Sequence, residues 1–305
     1  MDRFEELRTF VRVVECGGIS TAARRLGLAK SAVSRRLAEL EERLGVQLLR
    51  RSTRSLRLTE SGRGLYERAL RLLEDLEEAE QAVTQAHGRL QGTLRITVPL
   101  SFGLRHLSPA ITDFAREHPQ VRFELDLDDR QADLLREGYD LAVRIARLPD
   151  SRLVARRLAV IRSCVCASPA YLERHGAPRR AEELAERPCL LYTNLPDPAL
   201  WRYRDPKGRE GKVRVRGVLR ANNGDFLCQA AAAGLGLVLG PTFVVHEAIR
   251  RGELVPVLTD HRWPTLEAHA VWPHTRHLSR RVRALVDFLA ERFAGVPYWD
   301  RELPL

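Results

Sequence analysis

The sequence of 305 residues has few cysteines and lacks an unbroken apolar run long enough to span a membrane. Five cysteines, an odd number in so long a chain, exclude a disulfide framework and argue against secretion. One uncharged stretch, residues 226–246, is interrupted by glycine, glutamine and proline, so it does not read as a membrane span. Acidic residues at the N-terminus are the opposite of a basic signal segment. We therefore expect a cytoplasmic protein with no membrane partner.

The motifs of common enzyme classes are also lacking. The sequence has no Gly-rich phosphate loop, no Gly-x-Ser-x-Gly elbow and no His-Glu-x-x-His, and residues 234–236 form only a lone Gly-x-Gly. Cys164 and Cys166 lie on one face of a predicted strand without a second pair at metal-ligand spacing. His274 and His277 have no acidic neighbour. We predict no catalytic residues, no metal site and no cofactor.

Positive charge is abundant and unevenly distributed. The formal net charge is +10, and only three of the 50 basic residues are lysine. Residues 1–58 contain 13 basic and seven acidic residues, a net charge of +6, whereas residues 59–89 have a net charge of −3. The remaining +7 belongs to residues 90–305. This distribution favours nucleic acid as a partner of the N-terminal part and is compatible with anionic ligands elsewhere.

Residues 1–58 carry the pattern of a winged helix-turn-helix. Helical spacing of apolar residues stops at Gly17-Gly18, a short helix ends at Gly27, and an amphipathic helix follows over residues 31–45. The first turns of this third helix are polar and basic, which is typical of a recognition helix that enters the major groove of double-stranded DNA. Residues 50–62 then alternate apolar and basic side chains, which predicts a β-wing.

The next segment, residues 59–91, predicts a long linker helix. Its apolar residues recur at alternating steps of four and three, at Leu65, Ala69, Leu72, Leu76, Ala79, Val83, Ala86 and Leu90. This heptad seam needs a partner helix, so we predict a coiled coil and a homodimer. A symmetric dimer would present two recognition helices to a pseudo-palindromic site.

Residues 92–305 alternate strand and helix patterns, which predicts an α/β domain with largely parallel sheets. The predicted strands are Leu94–Val98, Val121–Leu127, Leu141–Ile145, Cys164–Ala167, Val213–Gly217, Leu237–Leu239 and Ala268–Trp272. In open α/β folds, ligands bind outside the carboxyl ends of the strands. A small-molecule site is therefore expected where these strands end.

The N-terminal helix-turn-helix, the runs AVSRRLAELEERLGVQLLRR and RLTESG, and the length near 300 residues resemble the LysR-type transcriptional regulators. The resemblance covers the whole chain. It implies a two-lobed effector domain like that of periplasmic binding proteins, with lobe one at about 92–162 and 270–294 and lobe two at about 163–269. It also implies dimers that pair into tetramers.

The resemblance assigns DNA contacts to the recognition helix and the wing. The residues at these positions are Lys30, Ser31, Ser34, Arg35, Arg36, Arg51 and Arg54. Many members of the family have Gln-Pro where this chain has Lys30-Ser31, a difference that concerns the preferred bases rather than the groove. We expect Arg35 to read base edges.

The predicted effector site is assembled from strand ends in both lobes. Its residues are Leu100, Ser101, Phe102, Asp129, Arg130, Arg144, Asn222, Asn223, Gly240 and Pro241. Ser101 and the amides after it would open a helix, which is a good carboxylate site. Arg144 is the predicted counter-ion, with a structural salt bridge as the alternative. We therefore expect an anionic effector, namely a small organic carboxylate, and this class includes aromatic acids.

Three functional classes follow from the sequence. The first is a ligand-responsive, sequence-specific transcriptional regulator. The second is a DNA-binding repressor or architectural protein whose C-terminal domain serves only oligomerisation. The third is a small-molecule-binding or enzymatic α/β protein with an incidental basic N-terminus. The sequence favours them in that order.

Overall fold

The computed structural model describes residues 2–51, 56–84, 89–130, 132–146, 153–274, 278–301 and 303. The chain divides into two compact units, Met1–Gly88 and Arg89–Leu305, each with its own hydrophobic core. Among the residues described, every helix is too short or too polar to traverse a lipid bilayer.

The first unit contains the predicted winged helix-turn-helix and the start of the linker. Its elements are α1 (Arg3–Glu15), α2 (Ile19–Leu26), α3 (Lys30–Leu44), β1 (Leu49–Arg51), β2 (Leu56–Leu58) and α4 (Glu60–Thr84). The Asp2 side chain caps α1 by accepting a hydrogen bond from the Phe4 amide at 2.9 Å. Gly27 and Gly45 end α2 and α3 at φ of +68°, a left-handed conformation that favours glycine.

The long helix α4 divides its apolar residues between two environments. Ala69 and Leu73 are buried in the core of the helix-turn-helix, with Leu65 packed against it. Leu72, on the predicted seam, is 52% exposed. The side chains of Ala79, Val83 and Ala86 lie outside the described residues. Leu90 does not continue the seam, because it packs against the core of the second unit.

The second unit alternates strands and short helices. Its strands are β3 (Gly92–Val98), β4 (Val121–Leu127), β5 (Leu141–Ile145), β6 (Leu153–Ile161), β7 (Ser163–Ala167), β8 (Pro188–Tyr192), β9 (Leu200–Arg204), β10 (Glu210–Arg214), β11 (Arg216–Ala221), β12 (Leu237–Pro241), β13 (Val255–Val257) and β14 (Leu266–Pro273). Its α-helices are α5 (Leu100–Phe102), α6 (Ser108–Glu117), α7 (Leu134–Glu137), α8 (Pro169–His175), α9 (Gly224–Ala232), α10 (Thr242–Arg250) and α11 (Arg280–Arg292). A π-helical turn, Gly103–Leu107, joins α5 to α6, and 3₁₀ turns lie at Ala181–Glu186 and Tyr298–Asp300.

Two five-stranded sheets form two lobes. The sheet of lobe one has the order β4-β3-β5-β14-β6, and the sheet of lobe two has the order β11-β8-β12-β7-β13. In each sheet four strands share a direction, and one strand, β14 or β7, runs against its two neighbours. The sheets are therefore mixed rather than largely parallel. Each reversed strand directly follows a crossing between the lobes, at Arg162 and at residues 258–265.

Most predicted strands are present: Val121–Leu127 and Leu141–Ile145 match β4 and β5 at both ends, and the others have shifted ends. The prediction of one strand at Val213–Gly217 is wrong, because Val215 separates β10 from β11, which belong to different sheets. The second segment of lobe one was predicted to begin at residue 270, but its strand β14 already begins at Leu266. Four strands were not predicted from the sequence: β6, β8, β9 and β13.

One hydrophobic core extends through both lobes. It joins Phe102 on α5 to Phe243 on α10, whose rings meet edge to face at 5.2 Å. The lobes are thus packed against each other directly below the strand ends where the predicted effector residues lie.

Candidate DNA-binding surface and effector cleft

The N-terminal end of α3 presents an open polar surface. Lys30, Ser31 and Arg35 are exposed and Ser34 is partly exposed, whereas Val33 on the same helix is buried. Ala29 is the N-cap and supplies no side-chain hydrogen bond. Amides at the start of the helix are therefore free of a capping side chain and suit a phosphate group.

Arg35 and Arg36 have different surroundings despite being adjacent. The Arg35 side chain is 71% exposed, and its nearest carboxylate is Glu39 at 3.8 Å. The Arg36 side chain is only 23% exposed, and its guanidinium donates to Glu5 on α1 at 2.9 Å. Arg36, predicted as a DNA contact, is thus directed into the interface between α3 and α1. A second ion pair joins the same two helices, because the Arg43 guanidinium donates to the buried Glu6.

The wing places two arginines opposite each other. β1 and β2 pair antiparallel, with Arg50 in register with Arg57, and both are exposed. Directly opposed like charges repel unless an anion lies between them. Of the predicted wing contacts, the side chain of Arg51 and all of Arg54 lie outside the described residues.

A cleft of about 200 Å³ opens between the lobes where four strands end. The lining residues follow β3 and β4 in lobe one and β8 and β11 in lobe two; they are Leu100, Leu127, Asp128, Asp129, Arg130, Asn194, Asn222 and Asn223. The cleft thus contains five of the ten predicted effector residues. A molecule bound there would contact both lobes at the carboxyl ends of their strands, as is general for α/β folds.

A carboxylate side chain of the protein occupies the amide of Leu100, the first residue of α5. The Leu100 amide donates to Asp129 Oδ1 at 3.0 Å. Burial raises the pKa of Asp129, and the nearby Asp128 and Asp225 raise it further, although the Leu100 hydrogen bond lowers it. An internal carboxylate therefore occupies the Leu100 amide, which directly precedes Ser101 and the amides that the sequence suggested for an external carboxylate.

Arg130 is neutralised by its neighbours. Its guanidinium lies 2.7 Å from Asp128 Oδ2 and 2.7 Å from Glu137 Oε2. The hydrogen bonds from Glu137 and Asp128 raise the pKa of Arg130. The pKa of Asp128 is lowered, first by its hydrogen bond from the Arg130 amide. Arg130 is the one cation among the lining residues, so the described lining carries a net charge of −1.

Sequence reasoning missed three lining residues. Leu127 and Asp128 stand at the end of a correctly predicted strand, so the strand-end rule could have included them. Asn194 follows β8, which was not predicted. The Asn194 amide donates to the Tyr192 hydroxyl at 3.2 Å and to the Asn222 carbonyl at 3.4 Å. It thus connects the ends of β8 and β11.

The structure places Ser101 and Phe102 behind the cleft wall. The buried Ser101 hydroxyl donates to Asp225 at the start of α9, and Arg105 also donates to Asp225, at 2.7 Å. Phe102 is fully buried in the core. These residues join the lobes rather than line the described cleft.

Arg144, Gly240 and Pro241 also lie outside the cleft lining. The Arg144 guanidinium donates to the Ala132 carbonyl, and burial lowers the pKa of Arg144. Gly240 is in β12, where an added Cβ would lie 2.8 Å from Val245 Cγ1. Pro241 ends that strand and caps α10. Their placement does not support the predicted direct contact with an effector.

The cysteines are free thiols, and four of the five are buried. Burial raises the pKa of Cys189 to about 12 and that of Cys228 to about 11. The pKa of Cys166 is raised by its hydrogen bond with Cys164 and by burial. Such thiols are poor nucleophiles because the thiolate is the reactive form. Among the residues described, no cluster of potential metal ligands is found.

Comparison with known proteins agrees with this arrangement. Residues 4–63 match the bacterial regulatory helix-turn-helix proteins of the lysR family, and residues 87–294 match the LysR substrate binding domain. The chain belongs to the LysR family of transcriptional regulators. The predicted family and fold class are confirmed, and this regulator has a DNA-binding domain and an effector-binding domain.

Relatives cover almost the full length of the regulator. The HTH-type transcriptional regulator CrgA of Neisseria meningitidis serogroup C is 38% identical over 95% of this chain and 97% of CrgA. A solved structure of N. meningitidis CrgA, a LysR-type regulator, has a TM-score of 0.62 at 36% identity and covers 95% of this chain and 99% of that one. The Vibrio cholerae virulence activator AphB has a TM-score of 0.61 at 28% identity over 95% and 99% of the two chains.

Proposed function

We propose that this regulator binds a specific DNA site through α3 and the wing, and that a small molecule in the cleft alters that binding. The main support for this proposal is that residues at the strand ends of both lobes line the cleft. A ligand that contacts both lobes can favour one arrangement of the domain over another, as a population shift requires. The alternative, a C-terminal domain that serves only oligomerisation, gives the cleft no role.

On the DNA side, we propose that Lys30, Ser31, Ser34 and Arg35 enter the major groove. Arg50 and Arg57 would hold a backbone phosphate between them, which would relieve their mutual repulsion. Arg36 is omitted from this set because it is paired with Glu5. Binding of labelled DNA from upstream of the gene, compared with a shuffled sequence of equal length, tests this proposal. Equal affinity for both sequences would contradict specific recognition.

For assembly, we propose a homodimer through α4, with Leu72 at the contact between the two helices. Leu72 is exposed, whereas neighbouring apolar residues of α4 are buried in the helix-turn-helix core. A second copy of the same helix would cover it. The dimer would then present its two α3 helices to a pseudo-palindromic site. We further propose that dimers pair into tetramers, which sedimentation would reveal.

For the effector, we propose a small organic carboxylate that replaces Asp129 at the Leu100 amide. The internal pair supports this proposal because it uses the same acceptor chemistry at 3.0 Å. Leu100 and Leu127 supply apolar lining for an aromatic ring. A specific observation favours a second candidate, a protonated amine, because Asp128 and Asp129 give the described lining a net negative charge.

Benzoate and benzylamine, which share a ring and differ in charge, discriminate between these candidates. We expect benzoate to bind wild type and to bind Asp129→Asn more tightly, because the variant loses the competing charge. Tighter binding of benzylamine, weakened by Asp129→Asn, would instead support the amine. Tryptophan fluorescence can follow both titrations. Asp128→Asn is the matched control, because Asp128 accepts from Arg130 rather than from Leu100.

A further inference from the structure

The chain after α11 turns back and inserts into the core between the lobes. Residues 295–301 lie beyond the matched effector-domain region and include the 3₁₀ turn Tyr298–Asp300. Trp299 in this turn is 1% exposed, which makes it one of the most completely buried large side chains. The burial of Trp299 therefore anchors this segment in the hydrophobic core of the second unit.

Trp299 contacts aromatic rings from both lobes. Its ring centroid lies 4.4 Å from His106 and 5.8 Å from Phe102 in lobe one, and 6.4 Å from Phe243 in lobe two. Two of these contacts are edge to face, the arrangement that aromatic pairs favour. The indole thus bridges the same pair of residues, Phe102 and Phe243, that packs directly across the lobe junction.

The residues on either side of Trp299 add polar contacts to each lobe. The Tyr298 hydroxyl is 2.5 Å from His106 Nδ1, and His106 Nε2 is 3.1 Å from the Phe243 carbonyl. A carbonyl only accepts, so Nε2 carries the proton and Nδ1 accepts from Tyr298. Asp300 is buried, and burial raises the pKa of its carboxyl, although the nearby Thr242, the first residue of α10, lowers it. One turn of chain thereby joins lobe one to lobe two.

These contacts lie directly behind the cleft. Phe102 is two residues after Leu100, whose amide is the proposed ligand position, and Phe243 is on the helix that follows Gly240 and Pro241. Ser101 and Arg105 tie the same segment of lobe one to Asp225 in lobe two. Two sets of contacts therefore join the two walls of the cleft: the hydrogen bonds to Asp225, and the packing of Trp299 against rings of both lobes.

We propose that residues 295–301 form an interlobe strap that fixes the separation of the cleft walls, with Tyr298 and Trp299 as positioning residues for the effector. The inference rests on the proposed function of the cleft. The strap touches neither the described lining nor the proposed ligand position, so it acts through Phe102 and His106. It makes the effector affinity of this regulator depend on a segment outside the matched domain.

Two conservative variants test the strap without emptying the core. Trp299→Phe keeps an aromatic ring, and the indole N–H it removes has no hydrogen-bond partner among the described residues. Tyr298→Phe removes only the hydroxyl that binds His106. Val296→Ala is the matched control, because Val296 belongs to the same segment and is 62% exposed.

The first measurement is amide hydrogen exchange in the full-length protein without any ligand. In Tyr298→Phe, exchange at Gly103–Leu107 and in α10 should rise about fivefold, the factor expected for the loss of one hydrogen bond. Trp299→Phe should show a rise at the same sites. Exchange in α1–α3 and in Val296→Ala should match wild type. A rise confined to residues 295–301 would overturn the proposal, because the segment would then be a passive tail.

The second measurement is the affinity for benzoate, which a purely structural role would leave unchanged at equal melting temperature. We expect Trp299→Phe to weaken binding by a few-fold to about 30-fold, the range for residues that modulate a site without contacting its ligand. Unchanged affinity in both variants would refute the positioning role. If benzoate does not bind wild type, the carboxylate proposal fails, whereas the exchange experiment still decides whether the strap holds the lobes.

Discussion

His106 makes the effector domain sensitive to acid, and the size of the effect can be worked out from the structure. Burial lowers the pKa of His106 from 6.5 to about 4. The hydrogen bond to the Phe243 carbonyl opposes this shift, His246 and Arg105 add to it, and Glu247 opposes it. Because the folded pKa is below the unfolded one, the unfolded chain binds the proton first. The stability contributed by His106 is therefore complete above about pH 6.5 and is lost as the pH falls toward about 4.

A tenfold difference in proton affinity between the folded and unfolded states corresponds to about 1.4 kcal/mol. Lowering the pKa of His106 from 6.5 to about 4 then corresponds to about 3 kcal/mol in total. Between about pH 7 and about pH 5, the free energy of unfolding should fall by about 2 kcal/mol from this residue alone. Protonation at Nδ1 should thus remove the acceptor of the Tyr298 hydroxyl, whereas the Nε2 proton donated to the Phe243 carbonyl stays in place.

Urea unfolding followed by tryptophan fluorescence measures this effect, because all four tryptophans belong to the second unit. His106→Gln keeps a donor for the Phe243 carbonyl and removes the titration. Wild type should lose about 2 kcal/mol more than His106→Gln between the two pH values. His246→Gln is the control, since burial also lowers the pKa of that half-buried histidine. Equal losses in wild type and His106→Gln would refute the reasoning.

Three further predictions concern the first unit. Arg35→Ala should weaken specific DNA binding by about 1–3 kcal/mol and relax the sequence preference. An equal loss of affinity for all sequences would instead make Arg35 a phosphate contact only. Arg36→Ala should lower thermal stability and leave the sequence preference unchanged. Leu72→Glu should convert the dimer to a monomer in sedimentation, and an intact dimer would exclude the proposed α4 contact. Gly62→Ala should destabilise this unit by about 1–3 kcal/mol, because its Cβ would overlap a backbone carbonyl. Gly64→Ala meets no atom within 4 Å in the same helix and should stabilise the unit by about 0.5–1 kcal/mol; equal melting temperatures of the two variants would contradict this.

Local patterns predicted the elements that depend on local chemistry. The strands Val121–Leu127 and Leu141–Ile145 match β4 and β5 because turn signals bound each of them. β6 was missed because it carries two exposed arginines in its middle, and that pattern indicates a surface segment. β10 and β11 were merged because the corner between them, at Val215, is itself buried and apolar.

Contacts between residues that are distant in sequence determine the features that local patterns do not predict. Arg36 has the charge and position of a DNA contact, and only its pairing with Glu5, 31 residues away, argues against that role. Asp129 was correctly placed at a strand end, but its occupation of the Leu100 amide depends on a pairing across 29 residues. Likewise, nothing in the local sequence around Trp299 indicates that it packs against both Phe102 and Phe243.

The central claim is that an effector in the cleft changes DNA binding. The most direct measurement is the fluorescence anisotropy of labelled DNA from upstream of the gene, titrated with full-length protein in the presence and absence of benzoate. We expect sequence-specific DNA binding, and we expect benzoate to change its affinity. The benzoate concentration that produces half of this change should be lower for Asp129→Asn than for wild type. DNA binding that is unaltered by benzoate and by a panel of other small organic acids would contradict the proposal of a carboxylate effector. Absence of DNA binding even at low salt would contradict the proposed DNA-binding function.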